Sequence, residues 1–275
     1  GEYRPMPGLG ESDRAEVQWF EGTADGTRFV STPHVIGDGL GSLPQFFDVD
    51  GDGDLDIVSA EFFAGKGASF TWLEQLAAPD GTSPAGSWQR HVIDATSGPS
   101  IQMNIVPGLL GDERWIAVGS NHTNTAQQSP DPEPSAIALF EPGSDLRQPW
   151  TKTVISKNIV SVPGSMASPQ AAPGIFGWGD AENDGDIDLL VSGDGDPRVF
   201  LLEQTSPGVF TTLVLDEGIS QAGGMKIADL DGDGRHEAIV TGYDADIINL
   251  YTLDENGVYP LGEATAPSDP MTNQD

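Results

Sequence analysis

The sequence predicts an all-β protein assembled from repeated four-stranded antiparallel units. The 275 residues include 35 glycines and 21 prolines, a composition that suits many short strands joined by turns better than long helices. One aspartate-rich turn occurs in three copies along the chain. Each copy is followed by an apolar run rich in β-branched residues, which is typical of a buried strand.

The first copy, FFDVDGDGDLDIVSA, covers residues 46–60 and is followed by two further apolar runs, SFTWLEQL and WQRHVID. The second copy, FGWGDAENDGDIDLLVSG, begins at Phe176 and is followed by RVFLLEQ and FTTLVLD. The third copy, KIADLDGDGRHEAIVTGY, begins at Lys226 and is followed by INLYTLDENGVYPLGEA. We interpret the runs after each turn as the later strands of one antiparallel unit.

A weaker copy lies between the first two, with the runs NIVPGLLGDERWIAVGSN, SAIALFEP and WTKTVIS. Its turn is shortened to GDER and lacks the alternating aspartates, which predicts strands without a metal site. The spacing agrees with this interpretation, because 132 residues separate Asp48 from Asp180 and 49 separate Asp180 from Asp229. The longer interval therefore holds two units.

The N-terminal part supplies half a unit, since EVQWFEG matches TWLEQ and RFVSTPHVIGDG matches WQRHVIDAT. We expect a single domain, in a fragment of a longer chain whose upstream residues supply the missing half. Four-stranded units repeated radially form a β-propeller, which leaves only short protected edges. A β-sandwich or two packed sheets is the alternative. The expected segments are a half blade at 1–38, blades at about 39–96, 97–160, 161–217 and 218–265, and a tail at 266–275.

The alternating aspartates predict cation sites, because like charges this close repel unless something compensates them. Calcium takes about six to eight oxygen ligands, from carboxylates and a backbone carbonyl at alternate positions of a tight loop. We therefore expect about three calcium ions. The predicted ligands are Asp48, Asp50, Asp52, the carbonyl of Asp54 and Asp56 in the first loop; Asp180, Glu182, Asp184, the carbonyl of Asp186 and Asp188 in the second; and Asp229, Asp231, Asp233, the carbonyl of Arg235 and Glu237 in the third.

Glycine occupies the sixth position of each loop, where a sharp turn with positive φ costs glycine little. These residues are Gly53, Gly185 and Gly234. An EF-hand would also need a bidentate glutamate at the twelfth position and flanking helices. The twelfth positions are Ser59, Val191 and Val240, inside predicted strands. The pattern therefore excludes an EF-hand.

The loops resemble the DxDGDGxxD turns of FG-GAP (VCBS-type) repeats, which occur in the propeller of integrin α chains and in many bacterial secreted proteins. DVDGDGDLD and DLDGDGRHE fit this pattern closely, whereas DAENDGDID departs from it at Glu182 and Asn183. The resemblance implies a propeller used for adhesion or recognition, outside the cell or at its surface. It also implies that calcium holds the turns rigid. The alternatives are direct bridging of a ligand by calcium and acidic turns without metal.

The net charge of −31, from 43 acidic and 12 basic side chains, predicts that nucleic acid and anionic membranes are repelled. Salt adaptation of the surface would explain part of this acidity but not its spacing. No apolar run approaches the roughly 20 residues that span a bilayer, so we expect no membrane insertion. With no cysteine, disulfides and thiolate metal sites are excluded.

Three further sets of residues stand out from their positions in the repeat: loop residues, glutamines at the first strands, and aromatic or histidine residues in the third and fourth strands. Loop residues expected to be exposed and available to a ligand are Glu61, Asn121, His122, Asp194, Asp196, Tyr243, Asp244 and Asp246. Glutamines at the first strands, which either form a polar ring or satisfy strand ends, are Gln45, Gln102, Gln170 and Gln221. Equivalent positions interpreted as packing are Trp19, Trp72 and Phe140 in third strands and His34 and His91 in fourth strands.

The sequence favours a binding protein over an enzyme, because HEAIV at His236 lacks the second histidine of a zinc protease and no G-x-S-x-G turn is present. We expect a protein or glycan ligand, met either alone or as part of a larger surface assembly. A purely structural role in a surface layer is a further alternative. A polysaccharide lyase or hydrolase remains the enzymatic alternative, and it would need its cations on one face. The candidates are Arg90, Arg114, Arg147 and Arg198.

Overall fold

The fold is all-β, as predicted. The computed structural model describes residues 16–38, 43–61, 69–97, 100–121, 136–157, 159, 173–193, 196–219, 222–242, 246–254 and 257–264. Within these ranges every regular element is a β-strand, and the strands form one two-stranded and four four-stranded sheets. No helix in the described part of the chain is long and apolar enough to cross a membrane.

The sheets follow one another along the chain, and each is built from consecutive strands. The two-stranded sheet contains β1 (Glu16–Trp19) and β2 (His34–Asp38). The first four-stranded sheet contains β3 (Gln45–Phe47), β4 (Asp56–Ala60), β5 (Phe70–Ala77) and β6 (Ser87–Asp94). The second contains β7 (Ser100–Pro107), β8 (Trp115–Asn121), β9 (Ala136–Glu141) and β10 (Thr151–Lys157).

The third four-stranded sheet contains β11 (Phe176–Gly179), β12 (Asp188–Ser192), β13 (Val199–Ser206) and β14 (Val209–Asp216). The fourth contains β15 (Ala222–Ala228), β16 (Glu237–Gly242), β17 (Ile247–Asp254) and β18 (Gly257–Ala264). In the first, third and fourth of these sheets the aspartate-rich loop joins the first strand to the second. The ninth loop residue therefore opens the second strand, as Asp56 pairs with Phe47 and Asp188 with Gly179.

The chain divides into two compact units, one of Gly1–Val106 with Trp115–Val154 and one of Pro107–Arg114 with Ile155–Asp275. The second strands contribute to the core, and every residue of β4 and of β12 is buried. In the first unit, Phe70, Trp72 and Phe140 are fully buried, which confirms the predicted packing role of Trp72 and Phe140. In the second unit the core includes Leu190, Val240 and Tyr251.

The repeat is visible in side-chain contacts as well as in strand order. His91 of β6 lies against Trp72 of β5 with ring centroids 4.8 Å apart. His34 of β2 stacks on Trp19 of β1 at 4.6 Å. The two-stranded sheet therefore repeats the contact between the third and fourth strands of the first four-stranded sheet. Both histidines have the structural surroundings expected from the sequence.

Candidate metal centres

The first loop folds around the carboxylate at its first position. Asp48 accepts the backbone N–H of Gly51 at 2.8 Å and that of Gly53 at 3.1 Å, one on each oxygen. Both glycines have positive φ, 77° and 98°, a conformation that side-chain-bearing residues avoid. The turn brings carboxylate oxygens of Asp48, Asp50 and Asp52 within 4.8 Å of one another. Oxygens around one calcium ion, at about 2.3–2.6 Å from it, are spaced in this way.

Arg147 Nη2 lies 3.7 Å from the carboxylate of Asp50. One further observation on the first loop fits a cation. One carboxylate oxygen of Asp54, Oδ1, is buried and has no hydrogen-bond donor among the described residues. A buried acceptor without a donor is costly unless a cation satisfies it. The donor set, all oxygen, is the one that calcium prefers.

The third loop has the same construction. Asp229 accepts two backbone N–H groups of the loop, at 2.7 and 3.1 Å, and Asp231 accepts the N–H of Asp233 at 3.0 Å. Carboxylate oxygens of Asp229, Asp231 and Glu237 lie within 4.8 Å of one another. Glu237 is buried and also accepts the N–H of Leu230 at 2.8 Å. The first and third loops are therefore both acidic clusters that could hold a metal ion.

The second loop is arranged differently. The N–H of Asp184 donates to Asp180 at 3.0 Å, whereas the equivalent N–H groups in the other loops donate to the third-position carboxylate. The carboxyl group of the third-position residue, Glu182, instead lies against that of Asp188. Burial and the charge of Asp188 raise the pKa of Glu182 to about 8. All residues of this loop are described, and no acidic cluster of the kind found in the other two loops occurs in it.

Asn183 shows why the second loop can keep its turn without a glycine at the fourth position. Its φ is 60°, in the left-handed region that asparagine tolerates better than most residues. Its side-chain Oδ1 lies 3.1 Å from Nδ1 of His236 in the third loop. Sequence reasoning missed this contact, because the two residues are 53 positions apart and no pattern links them.

At the seventh position, the backbone N–H groups of Asp54, Asp186 and Arg235 each donate to the fifth-position aspartate, at 3.0, 2.9 and 2.8 Å. The side chain of Arg235 pairs with Asp233 at 3.3 Å. That the seventh residue contributes its carbonyl stays a prediction. The GDER turn holds an exposed ion pair, Arg114 with Asp112 at 2.8 Å, and no acidic cluster is found in it.

The predicted exposure of three loop residues is wrong. Glu61, Asn121 and Asp196 are at most 3% exposed, because they directly follow the buried second strands or fold back beside them. Asp196 accepts hydrogen bonds from Arg198, one of them at 2.7 Å, and Glu61 pairs with Arg90. Asp246 is exposed, as expected. His122, Asp194, Tyr243 and Asp244 lie outside the described residues.

The glutamines at the first strands were predicted to form a ring or to satisfy strand ends. Gln45 donates to the carbonyl of Ile105 at 3.2 Å and accepts the N–H of the same residue. It therefore pairs with the backbone of β7 as an added strand residue would. Gln102 is buried, and Gln170 and Gln221 lie outside the described residues.

Part of this chain matches a known repeat family. Residues 180–240 match the FG-GAP-like repeat. This stretch begins at the first aspartate of the second loop, contains the whole third loop and ends within β16, and it covers less than half of the chain. The resemblance seen in the sequence is confirmed for this FG-GAP-like repeat.

One similar solved structure is the crystal structure of the exotype rhamnogalacturonan lyase YesX, with a TM-score of 0.43 and 15% sequence identity. The similarity covers 90% of this chain and 50% of that chain, so this chain spans half the length of that lyase. The comparison with curated protein sequences gave no match.

Proposed function

We propose that this chain forms a calcium-stabilised extracellular β-propeller that recognises a protein or glycan, alone or within a cell-surface assembly. The main support for this proposal is the presence of two acidic clusters, Asp48–Asp50–Asp52 and Asp229–Asp231–Glu237. Within each cluster the carboxylate oxygens lie within 4.8 Å of one another. Both lie in loops that join the first strand of a sheet to its buried second strand. The successive four-stranded sheets, with β1 and β2 as a half blade, would be the blades.

A cation at these loops would act on the fold rather than on a substrate. Each loop is bound to its own sheet through its ninth residue, as Asp56 is by hydrogen bonds from Val49 and Gln75. An ion held by the loop would therefore fix the first hairpin of the sheet. Since the unfolded chain does not present the same cage, calcium would stabilise the folded state by mass action.

The ion pairs made by four arginines favour a recognition function over a polysaccharide-active enzyme. An enzyme acting on an anionic polymer needs unpaired cations, yet the four arginines that could serve already have carboxylate partners. These pairs are Arg90 with Glu61, Arg114 with Asp112, Arg147 with Glu74 and Arg198 with Asp196. A surface this acidic suits a neutral glycan or a basic protein face better than an acidic sugar chain.

Thermal unfolding tests the calcium part of the proposal. We expect the midpoint to rise with millimolar calcium over chelator at each point of a sodium chloride series. The Asp50→Ala and Asp231→Ala double variant, which removes one member of each acidic cluster, should lose most of this rise. Stabilisation by salt with no separate effect of calcium would contradict it, because the aspartates would then serve a salt-adapted surface.

Array screening tests the recognition part. The full chain is applied to glycan and protein arrays with calcium and again with chelator, beside the double variant as the matched control. We expect binding that requires calcium and is lost in the double variant. An absence of any binding with calcium present would contradict recognition and favour a structural role in a surface layer.

A further inference from the structure

We propose that the second loop, residues 180–188, is a calcium-independent turn, so that, of the three loops, only the first and the third bind calcium. This inference rests on the proposed function, since it concerns which of the three predicted sites takes the ion. The acidic residues of the three loops have the same spacing, which alone would predict three equivalent sites. The difference lies in two residues, Glu182 and Asn183.

Glu182 stands where the other loops have Asp50 and Asp231. Its side chain is one methylene longer, and its carboxyl group lies against that of Asp188 at the ninth position. It does not accept the N–H of Asp184, which donates to Asp180 instead. In the first and third loops three carboxylates converge within 4.8 Å, and in the fully described second loop they do not.

The second loop keeps the hydrogen bonds that tie its first and ninth residues to the backbone, as the first loop does. The N–H groups of Asp184 and Gly185 both donate to Asp180, each at 3.0 Å. The ninth residue, Asp188, is fully buried and accepts N–H groups of Ala181 at 2.7 Å and Gln204 at 2.8 Å. These bonds hold the turn on its sheet without metal.

Asn183 makes a side-chain contact that has no equivalent at the same position of the first and third loops, because both have glycine there. Where they have Gly51 and Gly232, this residue places its amide oxygen 3.1 Å from His236. His236 is the eighth residue of the third loop and directly precedes Glu237, a member of the third acidic cluster. The second loop thus supports the neighbouring loop, and a structural role of this kind requires no ion of its own.

Counting bound calcium tests the inference. The full chain is freed of metal with chelator, and bound calcium is then measured by equilibrium dialysis and by native mass spectrometry. Matched variants change the fifth position of each loop: Asp52→Asn, Asp184→Asn and Asp233→Asn. Each asparagine keeps the Oδ1 that accepts the seventh-position N–H, and circular dichroism checks the fold.

We expect the three loops to bind two ions, with the calcium affinity lowered in Asp52→Asn and in Asp233→Asn and unchanged in Asp184→Asn. Shortening the third-position side chain by Glu182→Asp should raise the count to three. A count of three that falls to two in Asp184→Asn would overturn the inference and leave the proposed function standing. A count of zero would overturn both. A count of two that persists in Glu182→Asp would overturn the role given to Glu182.

Discussion

Asp56 accepts the backbone N–H of Gln75 at 2.8 Å through one carboxylate oxygen, and through the other it accepts that of Val49 at 3.0 Å. Asp188 makes the same pair of bonds in the third sheet. The ninth loop residue therefore joins its loop to the third strand of the sheet. Such a carboxylate stabilises the fold whether or not it also coordinates an ion.

Replacing Asp56 by alanine should destabilise the protein even in chelator. Two largely buried N–H groups lose their acceptor, at about 1–3 kcal/mol each, so we expect the free energy of unfolding to fall by about 2–6 kcal/mol. Urea denaturation in chelator measures it. Leu55→Ala, at a side chain that is 55% exposed, is the control and should change little. Equal effects of the two variants would show that Asp56 acts only through a metal.

Without calcium, the stability of the protein should depend on pH through the carboxyl group of Asp56. Burial raises the pKa of Asp56 from 3.8 to about 6, so the folded chain holds a proton that the unfolded chain releases. The stability from this group is fully present below about pH 4 and is lost as the pH rises through 6. We expect chelated protein to unfold at a lower temperature at pH 7 than at pH 5.

The control for this pH effect is Asp56→Asn, which removes the titrating group but keeps one acceptor. Its unfolding midpoint should vary less between pH 5 and 7 than that of the unaltered chain. If both proteins respond equally, the pH dependence belongs to other carboxylates.

Arg147 should matter more to stability than its exposure suggests. It donates to Glu74 at 3.0 Å, and Glu74, 2% exposed, also bonds His91 at 2.7 Å. Burial opposes ionisation of Glu74, yet the hydrogen bonds from Arg147 and His91 lower its pKa. Arg147→Ala would leave a buried carboxylate with one partner fewer. We expect a lower free energy of unfolding in urea denaturation at pH 7.

The matched control for Arg147 is Arg114→Ala. The pair of Arg114 with Asp112 is exposed, with side chains 64% and 42% accessible, and exposed pairs contribute about 0–1 kcal/mol. A loss in Arg147→Ala no larger than in Arg114→Ala would contradict the role of the buried partner.

The sequence predicted the strands and turns well because both depend on local patterns. The run WQRHVID predicts the strand found as β6, Ser87–Asp94, and the glycine at the sixth position of each loop has positive φ in all three. Alternation of side chains and the special conformation of glycine act over a few residues. A repeated local pattern therefore reveals the elements and their order.

The remaining features depend on contacts between distant residues, which a local pattern does not contain. Glu61 was expected at the surface, yet it is buried against Arg90, 29 positions away. Glu74 finds its partner 73 positions along the chain. The acidic residues of the second loop have the same spacing as those of the others, but the contacts of Glu182 with Asp188 and of Asn183 with His236 distinguish it from them.

Gly53 should tolerate a side chain poorly because of its backbone alone. Its φ is 98°, and nothing lies within 4 Å of where a Cβ would be placed, so no steric contact opposes Gly53→Ala. The conformational cost, about 1–2 kcal/mol, should lower the unfolding midpoint in thermal denaturation. Gly81→Ala is the matched control, since it is equally open but has no positive φ. Equal midpoints for the two variants would mean that the loop relaxes, and a turn able to relax in this way could not hold its carboxylates in place for an ion.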